Sequence, residues 1–233
     1  ADFRFQARPW ELNHAASLCT QCPVGCNTTL NTRREAVSGG NYVVKRVMPR
    51  QNEMVNEIWI CDKGRFGYHY AQHAERLEQP LIRKNGTLTP ASWDEALDLV
   101  ASRLRQADSG LLTLAGGRLA NEDLFNLHQL TSALDGKSVL YTHMAGGDLT
   151  AQVGLGAGTN FADLGPGSAI LVVASDLEEE APIWWLRVKQ AADRGATVIV
   201  ANPRPTKLDR VAKYSLRYPY GSEASFVLAM LNS

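Results

Sequence analysis

Four cysteines are the residues of this chain whose type and spacing point most directly to chemistry. Cys19, Cys22 and Cys26 fall within eight residues, Cys61 follows 35 positions later, and the chain of 233 residues has no other cysteine. Thiols at these spacings are compatible with three kinds of site. These are a pair of disulfides, a zinc ion held tetrahedrally by four thiolates, and an iron–sulfur cluster held by four thiolates.

The spacing favours the iron–sulfur cluster. Disulfide scaffolds are typically short secreted chains, and zinc ribbons usually carry a C-x2-C pair at each end. A cubane cluster needs three ligands from one tight loop and a fourth from a distant segment, and C-x2-C-x3-C followed by Cys61 supplies that arrangement. Gly25 allows a positive φ inside the loop, so that backbone amides can turn towards cluster sulfurs.

The apolar neighbours of the cysteines have two interpretations. Val24 in the loop, and Trp59 and Ile60 before Cys61, can shield a cluster from water. Apolar residues are equally typical of a short buried strand over residues 57–61. Both interpretations remain open at the level of sequence.

Two longer segments around the cysteines carry a specific pattern. They are Cys-Thr-Gln-Cys-Pro-Val-Gly-Cys at residues 19–26 and Glu-Ile-Trp-Ile-Cys-Asp-Lys-Gly-Arg at residues 57–65. The pattern resembles the iron–sulfur domain of the molybdopterin oxidoreductase family. Arg-Pro-Trp-Glu at residues 8–11 and the extended segment 56–67 are most similar to one branch, the large iron–sulfur subunits of bacterial NADH:quinone oxidoreductase, respiratory complex I.

This resemblance implies one [4Fe-4S] cluster and a ligand set for it. The matching ligands are Cys19, Cys22, Cys26 and Cys61. In the molybdenum enzymes of the family, the lysine that matches Lys63 lies between the cluster and the pterin. A cation suits that place, because four thiolates leave an oxidised cubane with a net negative charge.

Composition excludes several other classes of function. The chain has 24 basic and 24 acidic residues, and a nucleic-acid partner usually requires a basic excess. No apolar run approaches the ~20 residues that span a bilayer, so we predict no direct membrane insertion. Residues 1–90 contain 12 basic and 8 acidic residues, whereas residues 91–233 contain 12 basic and 16 acidic residues. The first segment therefore carries a net positive charge, which suits an anionic cluster, although solvated faces produce such differences too.

Apolar strand-sized runs alternate with helical patterns after residue 90. The pattern predicts a linker over residues 80–90, a helix capped by Ser92, a helix capped by Asn121, and a helix that starts at Pro182 and ends at Gly195. We expect an α/β fold in which a small cysteine-rich β iron–sulfur domain precedes a partial, doubly wound, mostly parallel α/β domain. The expected boundaries are 1–79 for the cluster domain and 80–233 for the incomplete α/β domain.

The predicted sheet offers only weak candidates for a pterin nucleotide. Gly116, Gly117 and Arg118 follow a strand and precede a helix, where a phosphate can bind, and we interpret them as a vestigial pterin site. The acidic run at residues 178–180 would repel a pyrophosphate. The loop that supplies the metal ligand in the molybdenum enzymes has no cysteine or serine, and only Asp148 is available. Molybdopterin is therefore not expected.

The sequence thus predicts an electron-transfer or structural iron–sulfur fragment of an NADH:quinone oxidoreductase. By resemblance, its partners are other subunits of the peripheral arm of complex I, on the cytoplasmic face of the bacterial plasma membrane. We expect this segment alone to have no catalytic activity. The alternatives are a fragment of a catalytic, formate dehydrogenase-like molybdopterin enzyme and a zinc-stapled interaction domain.

Overall fold

A computed structural model describes residues 7–107, 110–116, 119–141 and 160–232. The described residues form two compact units, one from residues 7–68 with 160–232 and the other from residues 69–141. All four cysteines lie in the first unit. This division is not the predicted one, because the cysteine-rich segment packs with the C-terminal part of the α/β region. The boundaries 1–79 and 80–233 remain predictions.

The cysteine-rich part of the first unit is built on an antiparallel sheet. Its strands lie in the order β1-β2-β3, with Leu18 at the end of β1 paired to Asn27 at the start of β2. A short helix, α1, follows the sheet. The bounds are β1 Asn13–Leu18, β2 Asn27–Arg34, β3 Tyr42–Pro49 and α1 Asp62–Phe66.

The C-terminal part of the first unit is a parallel sheet with helices. The strand order is β10-β9-β8, and both pairings are parallel. Val188 of the long helix packs with Val198 and Val200 of the central strand, so this helix covers one face. The bounds are β8 Ala169–Val173, α4 Leu177–Glu180, α5 Pro182–Asp193, β9 Thr197–Ala201, β10 Tyr214–Leu216 and α6 Glu223–Leu231.

The second unit contains a hairpin, two helices and a parallel strand pair. Asn85 and Gly86 both have positive φ, of 50° and 83°. Positive φ at two successive residues is typical of the two-residue turn that joins the strands of a β-hairpin. Residues 80–90 are therefore a hairpin rather than the predicted linker. The bounds are β4 Leu81–Lys84, β5 Thr87–Pro90, α2 Trp93–Gln106, β6 Leu112–Gly116, α3 Asn121–Ala133 and β7 Lys137–Tyr141.

The predicted fold class is confirmed: a small antiparallel iron–sulfur-type domain is combined with α/β structure whose strands are parallel. Ser92 caps α2 by accepting the Glu95 backbone N–H, and Pro182 occupies the first turn of α5, as predicted. The predicted cap at Asn121 is wrong. Ala120 holds that position without a side-chain hydrogen bond, and Asn121 is the first helical residue. No helix in these described ranges is long and apolar enough to cross a membrane.

Asp209 is a partly buried acid that makes part of the first unit sensitive to pH. Burial raises its pKa, but hydrogen bonds from Ser215, Arg217 and the Thr206 backbone outweigh that effect and lower the pKa to about 2, against an ordinary value of 3.8. Such a group stabilises the fold fully above its unfolded pKa and loses that contribution as pH falls towards its folded pKa.

We therefore expect Asp209→Asn to lower the free energy of unfolding at pH 7 by on the order of 2 kcal/mol. This difference in the free energy of unfolding between the variant and the unsubstituted chain should persist above about pH 5 and shrink between about pH 4 and pH 2. Denaturant unfolding across this range measures it. Asp193→Asn, which removes an exposed pair with Lys189, is the control and should show little change. A gap that stayed constant down to pH 2 would contradict the assignment.

Candidate metal centre

The three clustered cysteines lie on a closed loop at the end of the β1–β2 hairpin. Antiparallel pairing brings Leu18 and Asn27 together, so residues 19–26 must turn between them. The Cys19 N–H donates to the Cys26 carbonyl at 2.8 Å and closes the loop. Gly25 has a φ of 63°, as the sequence indicated for a tight turn at this position.

The fourth cysteine occupies the N-terminal cap of α1. Cys61 has an extended backbone, and its carbonyl accepts the first helical hydrogen bond from the Arg65 N–H at 3.0 Å. The preceding residues form no strand, and Ile58 and Trp59 are 56% and 49% exposed. The interpretation of residues 57–61 as a buried strand is therefore wrong. Among the described residues, the only β-pairing of this segment is an isolated bridge between Glu57 and Asn52.

Asn56 ties the Cys61 segment to the cysteine loop. Its side chain is fully buried, and its Oδ1 accepts the backbone N–H of Asn27, the residue after Cys26, at 2.9 Å. Its Nδ2 donates to the carbonyl of Trp59 at 3.0 Å. A single amide therefore bridges the two segments that carry the four cysteines.

Gly64 lets helix α1 approach the cysteine loop closely. A Cβ at this position would lie 3.0 Å from Sγ of Cys19 and 2.9 Å from the side chain of Ile60. Both separations are shorter than carbon normally tolerates, so alanine would force one neighbour to move. The helix thus packs directly against a cysteine sulfur because residue 64 has no side chain.

The four thiols share one apolar environment. Cys26 is 2% exposed and belongs to a buried cluster with Val24, Ala181 and Ile183, against which the other three cysteines pack. Ala181 and Ile183 come from the start of α5, so the α/β part supplies half of this lining. All four cysteines are free thiols.

Burial and mutual proximity raise the pKa of three of these thiols. Burial raises the pKa of Cys26 to about 12, and the Cys19, Cys22 and Cys61 groups add to the rise. Burial also raises the pKa of Cys19 and that of Cys22, although backbone hydrogen bonds oppose it in both. Thiols in this environment stay protonated at neutral pH, so metal binding here must release protons.

The donor set fits an iron–sulfur cluster. Across the described part of the chain, no three His, Cys, Asp or Glu side chains lie together in a way that would hold a single metal ion. A cubane sets a different requirement, because each of its four thiolates binds a separate iron atom. The structure meets that requirement with four free thiols from two segments. They pack against one group of buried apolar side chains and are near enough to influence one another electrostatically.

Lys63 lies next to the cysteines and contacts the acidic segment after β8. Its charge opposes the rise in the pKa of Cys22, and its ammonium group donates to the backbone carbonyl of Glu179. The acidic side chains nearby are paired within the chain. Asp176 binds Arg204 at 2.7 Å, and Glu178 binds Lys207.

The predicted pterin residues are only partly described. Gly116 ends β6 in the second unit. A side chain at this position would have no described atom within 4 Å of its Cβ. Gly117, Arg118 and Asp148 lie outside the described residues. The vestigial pterin site therefore stays a prediction.

Sequence reasoning missed the buried polar residues that support the site. Asn56 and Arg187 are 0% and 2% exposed, although both residue types are usually at the surface. Arg187 belongs to α5, whose sequence pattern predicts only an apolar inner stripe. An arginine at a core-facing helical position was the one feature of the sequence that could have indicated a buried ion pair. Its partner, Glu57, lies 130 residues earlier in the chain.

Comparison with known proteins agrees with this geometry. The family model described as NADH-ubiquinone oxidoreductase NDSU1/NuoG-like, 4Fe-4S domain, matches residues 17–69. The model described as molybdopterin oxidoreductase matches residues 76–226. The chain belongs to the molybdopterin oxidoreductase family.

Within that family, the chain is similar to NADH-quinone oxidoreductase subunits, the branch that the sequence motifs indicate, and also to a formate dehydrogenase subunit. A subunit of the NADH-quinone oxidoreductase of Streptomyces coelicolor is 37% identical over 82% of this chain and 24% of its own length. The F420-dependent formate dehydrogenase subunit alpha of Methanocaldococcus jannaschii is 27% identical over 93% of this chain and 32% of its own length. The chain thus spans about a quarter to a third of these relatives.

A solved structure supports the fold. Acetylene hydratase from Pelobacter acetylenicus superposes with a TM-score of 0.65 at 20% identity, over 93% of this chain and 31% of that one. The two family models and the Streptomyces coelicolor relative confirm the predicted resemblance, and the 4Fe-4S domain supports an iron–sulfur cluster in this chain. Molybdopterin has no comparable support, because the match to the molybdopterin oxidoreductase model is partial.

Proposed function

We propose that this chain binds one [4Fe-4S] cluster through Cys19, Cys22, Cys26 and Cys61 and serves as an electron-transfer segment of an NADH-quinone oxidoreductase. The observation that carries the proposal is the meeting of all four free thiols around one apolar cluster. When bound, a cubane of this type supplies one-electron redox chemistry.

The residues around the thiols have two roles in this proposal. Val24, Ala181 and Ile183 exclude water from the cysteine loop, and a dry shell is one of the factors that set a cluster's reduction potential. Lys63 stands beside the cluster, where its charge offsets the thiolates, and its contact with the Glu179 carbonyl holds it near Cys22. The cluster domain comprises residues 1–79, and residues 80–233 are part of an α/β scaffold.

The wider assembly follows from the relatives rather than from this chain. We propose that the partners are subunits of the peripheral arm of an NADH-quinone oxidoreductase, on the cytoplasmic face of the membrane. The similarity to the Streptomyces coelicolor subunit supports this assignment. A catalytic formate dehydrogenase-like protein is the second candidate, favoured by the similarity to the F420-dependent enzyme.

Anaerobic reconstitution of the chain with iron and sulfide tests the proposal. We expect brown protein with a broad band near roughly 400 nm, four iron atoms per chain, and an EPR signal after reduction. Colourless protein that binds one zinc ion and takes up no iron would overturn the proposal in favour of a zinc-stapled domain. Stoichiometric molybdenum or tungsten in protein purified from its source would favour the catalytic candidate.

A further inference from the structure

Glu57 adopts a backbone conformation that its residue type rarely takes. Its φ is 49°, in the left-handed region, and glutamate has a Cβ that this region disfavours. Its backbone N–H donates to the Asn52 carbonyl at 2.7 Å, and the Asn52 N–H donates back at 2.9 Å. Such strained residues persist only where the surroundings hold them. Glu57 therefore occupies a conformationally constrained turn, four residues before Cys61.

A buried arginine of the α/β part holds the side chain of Glu57. The guanidinium of Arg187, on α5, forms an ion pair with Oε1 of Glu57. Gln190, one turn further along α5, donates from Nε2 to Oε2 of Glu57 at 3.1 Å. One helix thus contacts both carboxylate oxygens, Oε1 through an ion pair and Oε2 through a hydrogen bond.

The second terminal nitrogen of Arg187, Nη2, is also bound. It donates to the carbonyl of Glu53 at 3.1 Å and to Oδ1 of Asn160 at 3.2 Å. The residue is 2% exposed. Taking a guanidinium and a carboxylate out of water is costly, and an apolar pair of similar volume is often as stable, so stability alone does not account for this pair.

The segment that follows Glu57 is also held by Asn56, whose side chain donates to the Trp59 carbonyl. Among the described residues this segment belongs to no strand, and Ile58 and Trp59 are half exposed. The direction in which the chain leaves residue 57 therefore contributes, with the Asn56 bridge, to the position of Cys61. The same helix, α5, also supplies Ile183 to the apolar cluster around the cysteines.

We propose that Glu57 and Arg187 are positioning residues that aim the Cys61 segment at the cysteine loop. The pair ties the fourth cysteine to helix α5, so that the α/β part sets the geometry of the metal centre. The inference rests on the proposed cluster function. Neither residue belongs to the apolar cluster around the cysteines, so both act through the backbone that carries Cys61.

Glu57→Gly is the informative variant, because glycine takes a positive φ without strain while the carboxylate is lost. We expect its reconstituted cluster to release iron to a ferrous chelator about 10-fold faster and to show shifted EPR g-values. Glu57→Gln keeps an oxygen that accepts a hydrogen bond, and it should fall between this variant and the unsubstituted chain. A role confined to folding would not move the g-values.

Glu53→Gln is the matched control. Glu53 lies in the same turn, its side chain accepts a hydrogen bond from exposed Gln51 at 2.8 Å, and its backbone contact with Arg187 is unaffected. If the unsubstituted chain and this control take up no iron, the proposed function fails. If both take up four irons while Glu57→Gly and Glu57→Gln match them in release rate and g-values, the positioning role is wrong. Should Glu57→Gly fail to fold, Glu57→Gln decides the same question.

Discussion

Cys61→Ser is expected to abolish stoichiometric iron binding after anaerobic reconstitution. Serine preserves the size of the side chain but replaces a soft thiolate with a hydroxyl, which remains protonated and binds iron poorly. The loss also affects folding, because the free energy of cluster binding stabilises only the folded arrangement of the two cysteine segments. We expect at least about 10-fold less iron retained per chain and a lower melting temperature.

Iron and sulfide analysis together with thermal unfolding checks this expectation. Asp62→Asn is the matched control, since Asp62 is the exposed neighbour of Cys61 in the first turn of α1 and contributes no thiol. The control should keep four irons. A Cys61→Ser chain that kept a full four-iron EPR signal would show that another residue is the fourth ligand.

The candidate ligands could be predicted from sequence because their spacing is a covalent constraint. Three cysteines within eight residues must lie in one loop, and the structure places them between two paired strands. Gly25 was predictable for the same reason, since a tight turn needs a positive φ. Strands of the α/β part were predictable as short apolar runs, such as the run at residues 197–201 that forms β9.

The support of the site was not predictable, because it depends on contacts between distant segments. Asn56 and Asn27 are 29 residues apart, and Arg187 and Glu57 are 130 apart. A polar residue in a sequence is expected at the surface, and only the fold shows which one is buried with partners. The exposed Trp59 shows the converse, an apolar residue that the local pattern placed inside.

The sheet organisation shows a similar limit. Parallel pairing of β8 with β9 and of β6 with β7 was expected from the alternation of strands and helices. The pattern does not indicate that the cysteine-rich segment packs on α5, which follows it by more than 100 residues. That contact is the reason why the two predicted domains do not correspond to the two compact units.

Asn56→Leu is expected to be the most destabilising substitution outside the cysteines. Leucine has a similar volume but removes the part-buried hydrogen bonds to the Asn27 N–H and the Trp59 carbonyl. Each such loss costs about 1–3 kcal/mol, so the free energy of unfolding should fall by about 3 kcal/mol. Asn56→Asp keeps the acceptor for Asn27 but turns an oxygen towards the carbonyl of Trp59, and should also destabilise.

Denaturant unfolding of the reconstituted chain measures the effect, and iron content reports whether the two cysteine segments still meet. Asn126→Ala provides the control, because Asn126 is exposed on α3 and should change stability by less than about 0.5 kcal/mol. If Asn56→Leu were as stable as the control and retained four irons, the bridge through Asn56 would be dispensable. The Cys61 segment would then owe its position to its contact with α5, since the structure offers that as the other long-range anchor of the same turn.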